Sequence, residues 1–185
     1  MKTILKNIAS VQTGVFLKPQ SEGEVLYLQV KHFDNDFRLS HSVHPDLMEY
    51  SVNQKHVLNP GDILFAAKGS NNFAAVYLKE YPKAVASTSF FVIKSTDKNI
   101  LPEYLAWYIN SPQTLELLKN FATGTSITSI SKSVLEDLEI PVPDIEKQKL
   151  ILTIYQLRNK EKNIKKQIET LREQQIQQQI INTIK

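Results

Sequence analysis

Cysteine is absent from the 185 residues, which excludes disulfides, thiolate zinc sites and a cysteine nucleophile in one step. Glycine is scarce. Its five occurrences, at 14, 23, 61, 69 and 124, form neither a P-loop nor a dinucleotide-binding GxGxxG, so nucleotide-driven chemistry is not expected. No apolar run approaches the roughly 18 residues that span a bilayer. Lys6 and Asn7 also break the N-terminal apolar stretch too early for a signal-peptide core. These absences point to a cytoplasmic protein with no membrane contact. The G-x-S-x-G nucleophile elbow and the H-E-x-x-H zinc motif are missing as well.

A large charge imbalance is lacking too. The net charge is +3, and its distribution says more than its size. Residues 1–140 hold 13 Lys/Arg against 14 Asp/Glu, whereas 141–185 hold 9 against 5. Bulk charge of the head therefore gives no independent sign of nucleic-acid binding, and the basic excess sits in the tail.

What is present is an ordinary folded composition, 42% hydrophobic and 22% charged, in a chain long enough to bury a core. Short runs rich in Val, Ile, Leu, Phe and Tyr alternate with turn residues: "EVLYLQVKHF", "GDILFAAKG", "FAAVYLK" and "STSFFVIK" read as strands. Asn59-Pro60-Gly61-Asp62 reads as a tight turn feeding one of them. From Pro102 the period becomes helical. "PEYLAWYIN", "SPQTLELLKNFA" with Ser111 as cap, and a third short helix capped by Ser131 follow one another. The proline-broken tract "LEIPVP" then gives way at Asp144 to one long helix. Along it Leu150, Ile154, Leu157, Glu161, Ile164, Ile168, Leu171, Gln175 and Gln178 recur at alternating spacings of four and three, the seam of a coiled coil. Beyond Leu171 the apolar stripe moves to Ile176, Ile180 and Ile184. The expected organisation is α+β: a mixed α/β head over 1–143 with short strands and local helices, then a long C-terminal coiled-coil helix over 144–185.

Candidate chemistry is sparse. His41 and His44 form an H-x-x-H pair in a polar segment with no third ligand at suitable spacing, and read as surface residues, not a metal site. Asp34 and Asp36 read as a solvated loop. Pro45-Asp46 and Pro143-Asp144 resemble the opening of an acid-based nuclease motif but lack the acid-x-Lys triplet that would follow. No catalytic residue, metal site or cofactor is expected. What remains is a set of donor-rich loops beside strand ends: Lys68-Gly69-Ser70-Asn71-Asn72, Ser87-Thr88-Ser89 and Thr123-Gly124-Thr125-Ser126, with Lys31 and His32 at the end of another strand. Such groups suit phosphates and base edges, and they equally suit plain turns.

The order of the pieces adds information. "LKNIASVQTG", "VLYLQVKHFDND", "LNPGDILFAAKG", "PEYLAWYINSPQ" and "GTSITSISKSVLEDLEIPVPDIEKQKLI" together resemble one target recognition domain and its spacer helix from the specificity subunit of type I restriction-modification systems. The resemblance covers essentially the whole chain. It implies a non-catalytic reader of double-stranded DNA that directs a separate adenine methyltransferase subunit and, in the full complex, a restriction subunit. It also implies that the long helix serves as a ruler and docking site.

A usual specificity subunit carries two heads and two helices, whereas this chain has one of each. It is expected to form an antiparallel homodimer that reads a bipartite target. The candidate DNA contacts are Lys31, His32, Lys68, Ser70, Asn71, Asn72, Ser87, Thr88, Thr125 and Ser126. The candidate partner-helix contacts are Leu150, Ile154, Leu157, Ile164, Ile168, Leu171, Ile176 and Ile180. The alternative is a helical protein–protein interaction module without DNA readout.

Overall fold

The structure, a computed structural model, describes residues 2–40, 42–124 and 128–184; Thr125 and Ser126, named above, lie outside them, as does His41. The chain divides into two compact units, residues 1–145 and 146–185. Helices and short strands are mixed in the first, and the second is a single helix.

In the first unit a four-stranded antiparallel sheet has the order β2-β7-β4-β5, with β2 at Ala9–Thr13, β4 at Ile63–Ala66, β5 at Ala74–Val76 and β7 at Phe90–Ser95. All four residues of β4 are buried. Its run of Ile, Leu, Phe and Ala has no polar face to offer, which is why it lies inside the sheet and not at an edge. The expected turn is in place. The Asp62 N–H donates to the Asn59 carbonyl at 3.0 Å, the Asp62 carboxylate accepts from the Asn59 N–H at 2.9 Å, and Gly61 takes φ +92°, a conformation glycine adopts at no steric cost.

Beside this sheet, β3 (Leu26–Leu28) and β6 (Ala84–Ala86) form a parallel pair. The expected long strand across 24–33 is thus cut to three residues. A 3-10 turn at Val30–His32 ends it, with the Gln29 N–H taken by His32 Nδ1 at 3.2 Å. Gly14 carries the chain from β2 across this pair; a Cβ there would sit 2.1 Å from the Ser87 carbonyl oxygen, so no other residue fits. One core cluster gathers Leu26, Leu28, Leu64, Phe73, Phe90 and Val92 among others, and a second gathers Val25, Tyr27, Leu47, Val52 and Val85.

Three short helices follow: α1 (Pro102–Ile109), α2 (Pro112–Asn120) and α3 (Lys132–Glu136). Ser111 and Ser131 cap α2 and α3, their hydroxyls accepting from the N–H groups of Thr114 and Val134, as their positions suggested. Asn110, at the end of α1, clamps the edge strand: its side-chain amide accepts from Ala74 N–H and donates to Ala74 C=O, both at 2.7 Å. This supplies an edge with the pairing a further strand would give. Finally β1 (Lys2–Ile4) pairs antiparallel with β8 (Glu139–Pro141), and Tyr104 Oη donates to the Pro141 carbonyl at 2.9 Å. The first residues of the head are thus tied to its last.

The second unit is α4, which spans Ile145–Ile184 and is about 60 Å long at about 1.5 Å per residue. Among the described residues no helix is long and apolar enough to cross a membrane.

Candidate nucleic-acid interface

The donor-rich loops are far apart in sequence, and strand direction brings them together. Strands β3 and β6 run parallel, so their C-terminal ends share one edge. The end of β4 pairs with the start of β7, Ala66 opposite Phe90, so the loop after β4 begins beside the turn that links β6 to β7. Backbone hydrogen bonds join these pieces directly. Ala67 N–H donates to Ser89 C=O at 3.0 Å and Ser87 N–H to Leu28 C=O at 2.9 Å.

The third loop is stitched to the first. Gly69 N–H donates to Thr128 C=O at 2.9 Å, Ile130 N–H to Ala67 C=O at 3.0 Å, and Thr123 and Ser129 exchange N–H···O bonds at 3.0 and 2.8 Å. Gly69 takes φ +90°, which turns the chain so that its N–H meets Thr128; a side chain there would be strained. Between the two loops lies a cavity of about 270 Å³ lined by Gly69, Ser70, Asn72, Lys119, Ala122, Thr128 and Ile130. Phe33 anchors the segment after β3 to the same edge, its ring 5.5 Å from that of Phe73 and 5.7 Å from that of Phe90.

Lys68, Ser70 and Asn71 are exposed, Lys31 is exposed at the end of β3, and Thr88 is half-buried. Asn72 and Ser87 point the other way. Asn72 is buried with its amide donating to the Ala66 carbonyl at 2.9 Å, so it holds its loop closed. Ser87 is buried as well, and its Oγ meets no hydrogen-bond partner among the described residues. His32 is half-buried; burial, then the neighbouring Lys31, hold its pKa below the ordinary histidine range. With Nδ1 accepting from Gln29, the imidazole is a neutral brace at the strand end.

Two side chains at this edge have no sequence signal that singles them out. Lys119, on α2, lines the cavity and is exposed; in sequence it is one more helix lysine. Phe16 follows Val15, which bridges to Ser87, and is 74% exposed, whereas an aromatic residue would be expected in the core. The acids considered in sequence have other work. Asp34 Oδ1 accepts from the N–H groups of Asp36 and Arg38, closing a turn, and Asp46 Oδ1 accepts from Tyr27 N–H at 2.8 Å.

On α4 the seam residues Leu150, Ile154, Leu157, Ile164, Ile168 and Leu171 are 44 to 63% exposed, and Ile176 and Ile180 are 49 and 50% exposed. Glu161 sits among them, its carboxylate bound to Lys165 Nζ at 2.6 Å, and that hydrogen bond holds its pKa below the usual range.

Comparison with known proteins places the chain and its fold. The chain is 27% identical over 168 residues to the type I restriction enzyme MjaVIII specificity subunit of Methanocaldococcus jannaschii, a match that covers 90% of this chain and 37% of that protein. Its fold is similar to the S subunit of a type I restriction-modification system from M. genitalium, with TM-score 0.62, 18% identity, and coverage of 86% of this chain and 39% of that one. The HsdS subunit from Thermoanaerobacter tengcongensis gives TM-score 0.64, 18% identity, and coverage of 89% and 43%. The chain therefore spans less than half the length of each of these relatives. Residues 5–182 match the family model described as the type I restriction modification DNA specificity domain, and it is to this family that the chain belongs.

Proposed function

We propose that the chain is a sequence-specific DNA-recognition component of a type I restriction-modification system. The head, residues 1–143, reads one half of a bipartite target, and the helix, residues 144–185, sets the distance to a second head. It directs a separate DNA adenine methyltransferase and, through the complex, a restriction subunit. It performs no chemistry of its own, takes no cofactor and works in the cytoplasm.

The observation that carries this reading is the convergence of three donor-rich loops and a strand end on one edge of the head. Base edges are read by closely placed donors and acceptors, and phosphates by cations beside them. Lys31, Lys68 and Lys119 supply the cations, while Ser70, Asn71 and Thr88 supply groups of base-reading type. Thr125 and Ser126 belong to the same loop in sequence and complete the candidate set. Asn72, Ser87 and His32 support the loops from behind.

The exposed seam supports a helix partner, because a single helix of this length with an uncovered apolar stripe is only marginally stable in water. We take the partner to be a second copy running antiparallel. The two heads then stand toward opposite ends of the pair, each helix being about 60 Å long, and their separation exceeds the roughly 34 Å of one duplex turn. The target is then two inverted half-sites around an unread spacer.

The test is a gel shift of the chain with its methyltransferase over random duplexes, followed by sequencing of the retained fraction. A split inverted motif is expected. The absence of any motif would instead favour a protein–protein module. Lys68→Ala in the same assay should weaken all retained sequences alike and lower the salt slope by about two, one phosphate contact being lost from each copy of the pair.

A further inference from the structure

The flanks of the α4 seam are not alike. With Leu150, Leu157, Ile164 and Leu171 at one core position and Ile154, Glu161 and Ile168 at the other, the row on one side of the seam reads Ile151, Arg158, Lys165, Arg172, Gln179. Three positions of that row, in successive heptads, are basic. The row on the other side reads Thr153, Lys160, Gln167, Gln174, Ile181 and holds a single cation. Lys165 is partly neutralised by its ion pair with Glu161 at 2.6 Å. Arg158 and Arg172 are exposed and make no ion pair among the described residues.

In an antiparallel pair the twofold axis lies across the rod, so each row is carried onto its own copy on the same face. One face then collects the basic row of both helices around the axis, and the opposite face collects the nearly neutral row. Within the seam Glu161 offsets part of this charge, through Lys165 and the nearby Arg158, but the basic row itself holds no acid, so its net sign stays positive. Like charges held this way repel within a Debye length of about 8–10 Å, so the arrangement costs the pair stability unless an anion lies along it.

We propose that this row is a phosphate-facing strip, and that the anion along it is the backbone of the unread spacer; the inference rests on the DNA-reading, antiparallel arrangement above. A duplex spanning two heads related by a twofold axis must lie on one of the two faces centred on that axis, and the charge selects the basic one. The dimensions agree. If the apolar stretch 150–171 overlaps its own copy, so that the helix ends overhang, the head junctions at residue 144 stand about 50 Å apart and the outermost Arg172 side chains about 35 Å apart along the rod, the latter about one turn of duplex. The strip contributes affinity without sequence, while the heads contribute sequence.

The test compares the full-length chain with Arg158→Gln/Arg172→Gln, which leaves the Lys165–Glu161 pair and the helix propensity intact, and with the charge-keeping Arg158→Lys/Arg172→Lys. In sedimentation without DNA, the glutamine variant should self-associate several-fold more tightly. In binding to a duplex carrying the selected motif, its salt slope should fall by about three to four, because four phosphate contacts per dimer are lost at about 0.9 each. The selected motif should be unchanged, and the lysine variant should keep the parent slope.

A glutamine variant that dimerises, selects the same motif and keeps the parent slope would overturn the strip while leaving the recognition function standing. If the parent selects no motif, both fall. If the glutamine variant keeps its slope but loses the methyltransferase subunit, the row binds an acidic protein surface and the strip is overturned as well.

Discussion

Two adjacent asparagines show how much depends on direction. Asn71 is exposed and Asn72 donates to the Ala66 carbonyl from a buried position. Asn71→Ala should therefore relax one position in each half-site of the selected motif, by about 1–3 kcal/mol per copy if it pairs bidentately with adenine, and leave the urea midpoint unchanged. Asn72→Ala should do the reverse. It leaves a carbonyl at the end of β4 without its partner and should cost about 1–3 kcal/mol of stability, read by urea denaturation, with the motif retained. A loop of Lys, Gly, Ser and two Asn announces itself in sequence as polar and flexible, but which asparagine turns inward is decided by the strand register and by Gly69 at φ +90°, neither of which is local. Lys119 and Phe16 escaped for the same reason, since only the fold brings them to the edge. His32 gives a pH test. Burial holds its folded pKa below the ordinary 6.5, and burial acts on His56 in the same direction. The unfolded chain thus takes up protons first on acidification. Stability should be fully present above about pH 6.5 and fall as the pH drops through the folded values. His32→Gln should make the fall in urea midpoint between pH 7.5 and 5.5 shallower.

The elements differ in how far local sequence determines them. The helices were legible because their caps and periods are written within a few residues: Ser111 before Pro112, Ser131 before Lys132, and the four-three spacing along α4. The strands β4 and β5 fall inside expected runs, although shorter than those runs, and β7 starts inside one and ends one residue beyond it, at Ser95. Strand β6 is three residues, Ala84-Val85-Ala86, with no strong β-former besides valine; it exists because β3 pairs with it, a contact between residues nearly sixty positions apart. Within α4 one position makes an element-scale prediction. Glu161 interrupts an otherwise apolar seam, and polar groups at such positions trade stability for register. Glu161→Leu should tighten self-association and raise the melting temperature of the helix pair. It should also weaken the preference for a single alignment, so that motif selection returns more than one spacer length. A single unchanged spacer would mean that the heads on DNA, not the seam, fix the alignment.

At the scale of the whole molecule, a helix that serves as a length standard can be altered. Seven residues inserted into α4 between Asn163 and Ile164, repeating the heptad Leu157–Asn163, preserve the seam and every flanking row. The inserted segment adds about 10.5 Å at about 1.5 Å per residue. Both copies lengthen equally, so an antiparallel pair extends its overlap by the inserted heptad and the two heads move apart by that same amount. Duplex DNA rises about 3.4 Å per base pair. The spacer of the selected motif should therefore grow by about three base pairs, while the half-sites stay the same. The insertion turns the helix by seven times about 100°, within about 20° of two full turns, so rotation from the helix is small. The three added base pairs, however, turn the far half-site by about a third of a turn, about 10 base pairs making one full turn. The lengthened protein must absorb that rotation by twisting, and its affinity should fall relative to the parent on its own best target. An insertion of four residues breaks the heptad phase and should reduce self-association before it changes any spacer. A spacer that stays fixed after a heptad insertion, with dimer and half-sites intact, would show that the helix does not measure the gap.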